Sequence, residues 1–135
     1  MKRYLFVLVA FVAVAFMSCN SSDENLSEQE RLERFLGIPV YPGAEMVMFF
    51  TDDRDSEIPR KTEPATVSLT INHRDSVPPF YEKALGHEFL TDTTGGKTYY
   101  KLVFEKGEWE YEIMVGQDQF RNKPMFTISV SEVLN

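Results

Sequence analysis

Strict alternation of apolar and polar residues recurs along this chain, and only a pleated strand can bury such a pattern on one side. In 65–72, Val67, Leu69 and Ile71 fall on one face, with Thr66, Ser68, Thr70 and Asn72 on the other. Tyr100, Leu102 and Phe104 share a face of 98–105, and Trp109, Tyr111, Ile113 and Val115 share a face of 108–115. Phe126, Ile128 and Val130 do the same in 125–133, and Met46–Thr51 supplies one more strand. Strands with one apolar face belong to antiparallel sheets covered on that side. The cover is 77–85, where Val77, Phe80, Tyr81, Ala84 and Leu85 make a continuous helical stripe. Asp75 or Ser76 can cap this helix, Pro78 and Pro79 are tolerable in its first turn, and Gly86 ends it. The expected fold class is α+β: a five-stranded antiparallel sheet with one helix packed on a face, plus a short N-terminal helix.

That second helix is Glu28–Leu36. Ser27 and Glu30 form a capping box, Leu32, Phe35 and Leu36 make a stripe, Gly37 suits a left-handed C′ position, and Pro39 forbids continuation. So short a helix is marginal alone and must dock. The outer sheet face, where Thr66, Ser68, Thr70, Ser129 and Ser131 mix with Phe49, Tyr99, Val103 and Met114, is its expected seat. The other reading of that face is a docking surface for a partner. Tyr41-Pro42-Gly43-Ala44 signals a type II turn. Residues 52–64, 86–97 and 116–124 are expected as loops, the second ending in Thr94-Gly95-Gly96. Lys106-Gly107 is expected to be a two-residue hairpin turn, opposing Phe104 to Trp109, Leu102 to Tyr111, Tyr100 to Ile113 and Lys101 to Glu112.

The N-terminus follows different rules. Lys2 and Arg3 precede an apolar run, Tyr4 to Met17, closed by Ser18 and by Cys19, the one cysteine. This is the layout of a secretory signal, and the run is shorter than the roughly 20 residues a spanning helix needs. Phe16-Met17-Ser18-Cys19 resembles the lipobox of bacterial lipoproteins, with Phe16 where Leu is usual. The resemblance implies cleavage before Cys19 and lipidation of Cys19. The alternative is an ordinary secreted protein carrying a reactive thiol. The expected organisation is a signal peptide at 1–18, an acidic flexible tether at 19–26 and a single α+β domain at 27–135. Asn20-Ser21-Ser22-Asp23-Glu24-Asn25 also resembles the export tag that takes some lipoproteins to the cell surface; a solvated spacer is the equal alternative. The expected location is the bacterial cell envelope, lipid-anchored at the outer membrane and either periplasmic or surface-exposed.

Charge narrows the partners. Taking Lys2 and Arg3 from 14 basic side chains leaves 12 against 21 acidic ones, a net −9 for the mature form. Phosphate backbones demand the opposite sign, so an acidic chain is a poor candidate for nucleic acid and no such partner is expected. A single cysteine allows no internal disulfide, so stability must come from the core. The arrangement of sheet and helix resembles the helix-grip modules of accessory lipoproteins in outer-membrane β-barrel assembly. Tyr41-Pro42-Gly43-Ala44 before a strand, with Phe80-Tyr81 and Leu85 in a later short helix, resembles a recurrent domain of secreted bacterial lipoproteins with no assigned activity. Those proteins often have Gly-Trp where this chain has Gly86-His87-Glu88-Phe89.

Catalytic constellations are thin. His73 with Asp75, and His87 with Glu88, could in principle hold zinc, but they lack the paired spacing and thiolates of strong sites. Glu110 and Glu112 fall on an outer sheet face and Asp52, Asp53 and Asp55 in a loop, where carboxylates are expected to serve solvation rather than catalysis. There is no nucleophile elbow and no phosphate-cradling glycine loop. The expectation is a non-enzymatic binding or accessory domain without metal or cofactor, whose partners are the membrane through Cys19 and an envelope protein or small ligand. The alternative is a hydrolase acting on envelope polymers through loop carboxylates or histidines. Long loops on a rigid scaffold commonly carry recognition, so Asp55, Arg60, Gly95, Gln119 and Arg121 are the candidate binding residues. They are expected to cluster at one end of the sheet, with Gly107 and the tether at the other.

Overall fold

The computed structural model describes residues 25–51, 57–117 and 123–134. The elements in order are α1 (Glu28–Leu36), β1 (Glu45–Thr51), β2 (Ala65–Thr70), a 3-10 turn (Arg74–Ser76), α2 (Val77–Leu85), β3 (Leu90–Thr94), β4 (Lys97–Lys106), β5 (Trp109–Gln117) and β6 (Pro124–Glu132). The class is α+β with an antiparallel sheet and two helices, as expected. The sheet has six strands, in the order β1-β2-β6-β5-β4-β3, where five were expected.

The extra strand lies inside the expected connector 86–97. Every residue of Leu90–Thr94 is exposed, so it carries no buried alternation to betray it. Gly95 and Gly96, at φ 62° and 75°, join it to β4 in the doubly left-handed geometry of a type I′ hairpin.

The β4–β5 hairpin differs from expectation by two residues. Tyr100 opposes Val115, Leu102 opposes Ile113, Phe104 opposes Tyr111 and Lys106 opposes Trp109. The turn is therefore Gly107-Glu108. The first central position of either primed turn needs a positive φ, and Gly107 (φ 64°) takes it where the expected turn would have put Lys106. A slip of two leaves each residue on its expected face. Lys101 still reaches Glu112, at 2.8 Å, but as a diagonal neighbour.

One core fills the space between the sheet and both helices. Val67, Leu69, Leu102, Tyr111, Ile113, Val115, Phe126, Ile128 and Val130 meet Leu32, Phe35 and Leu36 of α1 and Val77 and Tyr81 of α2. So α1 docks beside α2, on the inner face, and the expectation of an outer-face seat was wrong. Three side chains hold its C-terminal end. Thr62 Oγ1 donates to Phe35 O at 2.6 Å, Tyr111 OH to Leu36 O at 2.6 Å, and Lys106 Nζ to Gly37 O. These are carbonyls that a helix end leaves without intrahelical partners. The capping box at Ser27 and Glu30 forms as expected.

Phe49 was assigned to the outer face and lies on the inner one. The β1–β2 register shifts between Met46 and Met48, and this bulge reverses the alternation beyond it. Phe49 then meets Phe35 edge-on, with ring centroids 5.4 Å apart.

The expected grouping of loops at one end also fails. Thr51 pairs with Ala65, Ala65 with Val130, Val130 with Tyr111 and Tyr111 with Phe104. The chain that resumes at Glu57 therefore lies at the Gly107 end. Gly95 lies at the other end, with Gln117 and Pro124. Gly37, held by Lys106, is also at the Gly107 end, so α1 starts away from that turn.

Candidate functional site

Pleating and burial of the other face leave the outer sheet face as the largest surface without a covering element among the described residues. Register fixes its rows. Leu90, Lys101, Met114, Thr127, Ser68 and Met48 lie side by side across all six strands. The next row is Val103, Glu112, Ser129, Thr66 and Phe50. Met48, Phe50, Leu90, Val103 and Met114 are all large, apolar and exposed, Phe50 at 58% and Leu90 at 73%. Each lies on this one face.

Between those flanks runs a lane of hydroxyls on the two central strands. Thr66 and Ser129 oxygens are 3.4 Å apart, and those of Ser68 and Thr127 are 3.5 Å apart. Ser68 is only 7% exposed although nothing described lies above it, so its taller neighbours shelter it. Gly116 is overlain by the Tyr99 ring, whose nearest atoms would stand 3.0 and 3.1 Å from a Cβ built there. An aromatic ring shielding a strand glycine keeps that backbone dry.

Charges on the face are mostly spoken for or repulsive. The hydrogen bond and charge of Glu112 hold the Lys101 ammonium above its usual acidity range. Glu105 and Glu110 sit directly opposite each other, both exposed, an unfavourable cross-strand pair. The other perturbed acids are structural. Burial pushes up the phenols of Tyr81 and Tyr111, and the Ser27 amide and hydroxyl hold the Glu30 carboxyl below its usual value.

Of the expected binding residues, Arg60 and Gly95 are exposed but at opposite ends of the sheet. Asp55, Gln119 and Arg121 lie outside the described residues, as do Cys19 and the tether up to Glu24, and so do Asp52 and Asp53. His87 stacks on Phe104, centroids 5.2 Å apart, and Phe104 on Tyr111 at 5.0 Å. His73 accepts, through its carbonyl, the Ser76 amide that starts the 3-10 turn. Among the described residues no three His, Cys, Asp or Glu side chains gather as a metal site. No described helix is long and apolar enough to cross a membrane.

The two short motifs behind the lipoprotein resemblance meet in space. Gly43 (φ 79°) and the Ala44 N to Tyr41 O bond make the expected turn. Tyr41 packs edge-on against Phe80 at 5.3 Å, and its amide donates to Tyr81 OH at 3.2 Å. The turn and the helix are thus one aromatic joint, which fixes where the chain leaves α1 and enters the sheet.

Among the described residues the geometry defines an α+β domain with one sheet face covered by helices, the other uncovered, and β1 and β3 as edge strands. Comparison with family models, curated protein sequences and solved structures returned no match.

Proposed function

We propose that the chain is a lipid-anchored binding or accessory protein of the bacterial cell envelope, acylated on Cys19. The carrying observation is the position of Cys19, the one cysteine, directly after the apolar run and Ser18. The thiol of Cys19 is the group that would carry the lipid, and each buried CH₂ contributes about 0.8 kcal/mol to membrane retention. From Cys19 to Asn25 the tether reaches at most about 20 Å at 3.3–3.6 Å per residue, so the domain works close to the lipid surface. A binding role rather than catalysis is supported by the described surface. It offers a face of hydroxyls and apolar side chains that no described element covers. The resemblance of the Tyr41 and Phe80-Tyr81 motifs to secreted lipoproteins agrees with this reading. The test is Cys19→Ala in the full chain. Incorporation of a fatty-acid analogue should vanish and the protein should leave the membrane fraction. Undiminished labelling in the variant would refute the anchor.

A further inference from the structure

The sheet has two edges, and they are not alike. β1 is broken by its bulge, a device that discourages further pairing. β3 is less defended, its one charge being Asp92. Its five residues, Leu90-Thr91-Asp92-Thr93-Thr94, contain no Pro and no Lys, its register with β4 runs without a shift, and all five are exposed. Threonine-rich, unbulged and uncovered among the described residues, it is a ready template for another strand.

The hairpin fixes which groups the edge offers. In a two-residue turn the flanking pair, Thr94 and Lys97, exchanges both hydrogen bonds, and so do Asp92 with Tyr99 and Leu90 with Lys101. Thr91 and Thr93 are then the residues whose N–H and C=O point outward. An added strand would bond to those two and place its own side chains closest to Leu90, Asp92 and Thr94, the non-hydrogen-bonded positions. On that side Leu90 is a bare apolar group, and the Asp92 carboxylate takes a 3.5 Å contact from Thr94 and feels the charge of Lys101 without a hydrogen bond to it among the described contacts. Lys101, the nearest cation across the ladder, is held by Glu112.

Charge decides between occupants. Two copies paired antiparallel and centred on this strand would set Asp92 against Asp92, and the chain as a whole carries a net −7. Like charges directly opposite are unfavourable. We propose that β3 binds an extended, basic segment of a partner protein by strand addition, with a Lys or Arg opposite Asp92 and an apolar residue opposite Leu90. This deepens the binding role proposed above and names its surface, but it does not depend on acylation of Cys19.

The test uses the full chain in detergent and a fluorescein-labelled peptide, Thr-Leu-Thr-Arg-Thr-Leu-Thr, whose palindromic order presents the same side chains in either direction. Binding should slow hydrogen exchange at the Thr91 and Thr93 amides. It should weaken by about tenfold or more when the two central threonines of the peptide are N-methylated. Thr93→Pro should have the same effect while leaving the β3–β4 ladder intact, because that N–H faces outward. Asp92→Lys should reverse the preference, favouring the peptide with Glu in place of Arg, and it keeps the test decisive should the proline variant misfold. Several results would overturn the proposal: no binding, binding indifferent to N-methylation, or protection at Met48 and Phe50 instead. Dimerisation through β3 that excludes the peptide would overturn it too. Loss of fatty-acid labelling bears only on the anchor, so the two readings fail separately.

Discussion

The hydroxyl of Tyr111 is the most deeply buried of the three donors that hold the end of α1. It donates to Leu36 O at 2.6 Å, between residues that are 2% and 0% exposed. Tyr111→Phe removes the donor but keeps the ring and its stack on Phe104. The cost is therefore that of a buried carbonyl left without a partner, about 1–3 kcal/mol. A domain of this size has a total stability of roughly 5–15 kcal/mol, so urea denaturation resolves the change easily. The midpoint should fall with the slope unchanged, and Tm should drop by several degrees, about 4–8 °C per kcal/mol. Amide exchange at Val40 and Tyr41 should accelerate more than in β5, because α1 and the strap after it are released together. Thr62→Val removes the donor to the neighbouring carbonyl of Phe35. In a double mutant the two losses should fall short of additivity, since either one frees the same helix end. A Tyr111→Phe variant within about 0.5 kcal/mol of the parent would show that water or relaxation satisfies Leu36 O, and the account of α1 docking would fail.

Glu110→Lys replaces a like-charge pair opposite Glu105 by an attractive one and should stabilise by about 0.5 kcal/mol, with the gain shrinking in high salt. Gly107→Val should cost about 1–2 kcal/mol by forcing a branched side chain to the positive φ of the turn, and Gly107→Asn much less; denaturant midpoints check both. Gly116→Ala should push the Tyr99 ring off its seat and destabilise, whereas in a Tyr99→Ala background the same change should be neutral or better, because glycine within a strand costs about 0.5–1 kcal/mol against alanine. Burial raises the folded-state pKa of Tyr81 and Tyr111. Their contribution is therefore complete below the unfolded value of about 10 and is lost as pH rises above it. Alkaline unfolding should begin there, with a shallower slope in Tyr111→Phe.

Much of the architecture was legible because burial writes itself into a sequence. Both helices, with their glycine ends and the Ser27 box, follow from stripes and caps, and the inner faces of β2, β4, β5 and β6 follow from alternation. Pattern fails where a residue is on the right strand but beyond a local irregularity. The bulge near Val47 turned Phe49 inward, and no period-two reading carries a signal for an extra residue. It fails again where two registers satisfy the same faces, as in the β4–β5 hairpin, where only the left-handed demand at Gly107 separates them. The open sheet face was legible in part, through Thr66, Ser68, Ser129, Val103 and Met114, while Phe49 was misplaced on it and Met48, Phe50 and Leu90 were missed. Whether α1 covered it depended on tertiary contacts, the Tyr111 and Lys106 bonds to the end of α1, which have no local signature.

The costliest omission was β3, because a strand missed inside an antiparallel sheet reverses the direction of every strand after it. With residues 86–97 as a loop, β4 descends from the end where α2 finishes, and Gly107 lands opposite the loop after β1. With β3 in place the chain first returns along the edge, β4 runs the other way, and Gly107 joins that loop, as the Ala65, Val130, Tyr111 and Phe104 row requires. Burial could not have revealed this strand, since an edge strand whose five residues are all exposed has no apolar period to display. Two other signals could. A structureless connector of that length is uncommon in a compact domain. Gly95-Gly96 between β-prone threonines and Thr98-Tyr99-Tyr100 is also a hairpin turn in its own right. The absent pattern is itself informative, because the residues that conceal β3 from a search for buried strands are those that leave its edge open to a partner.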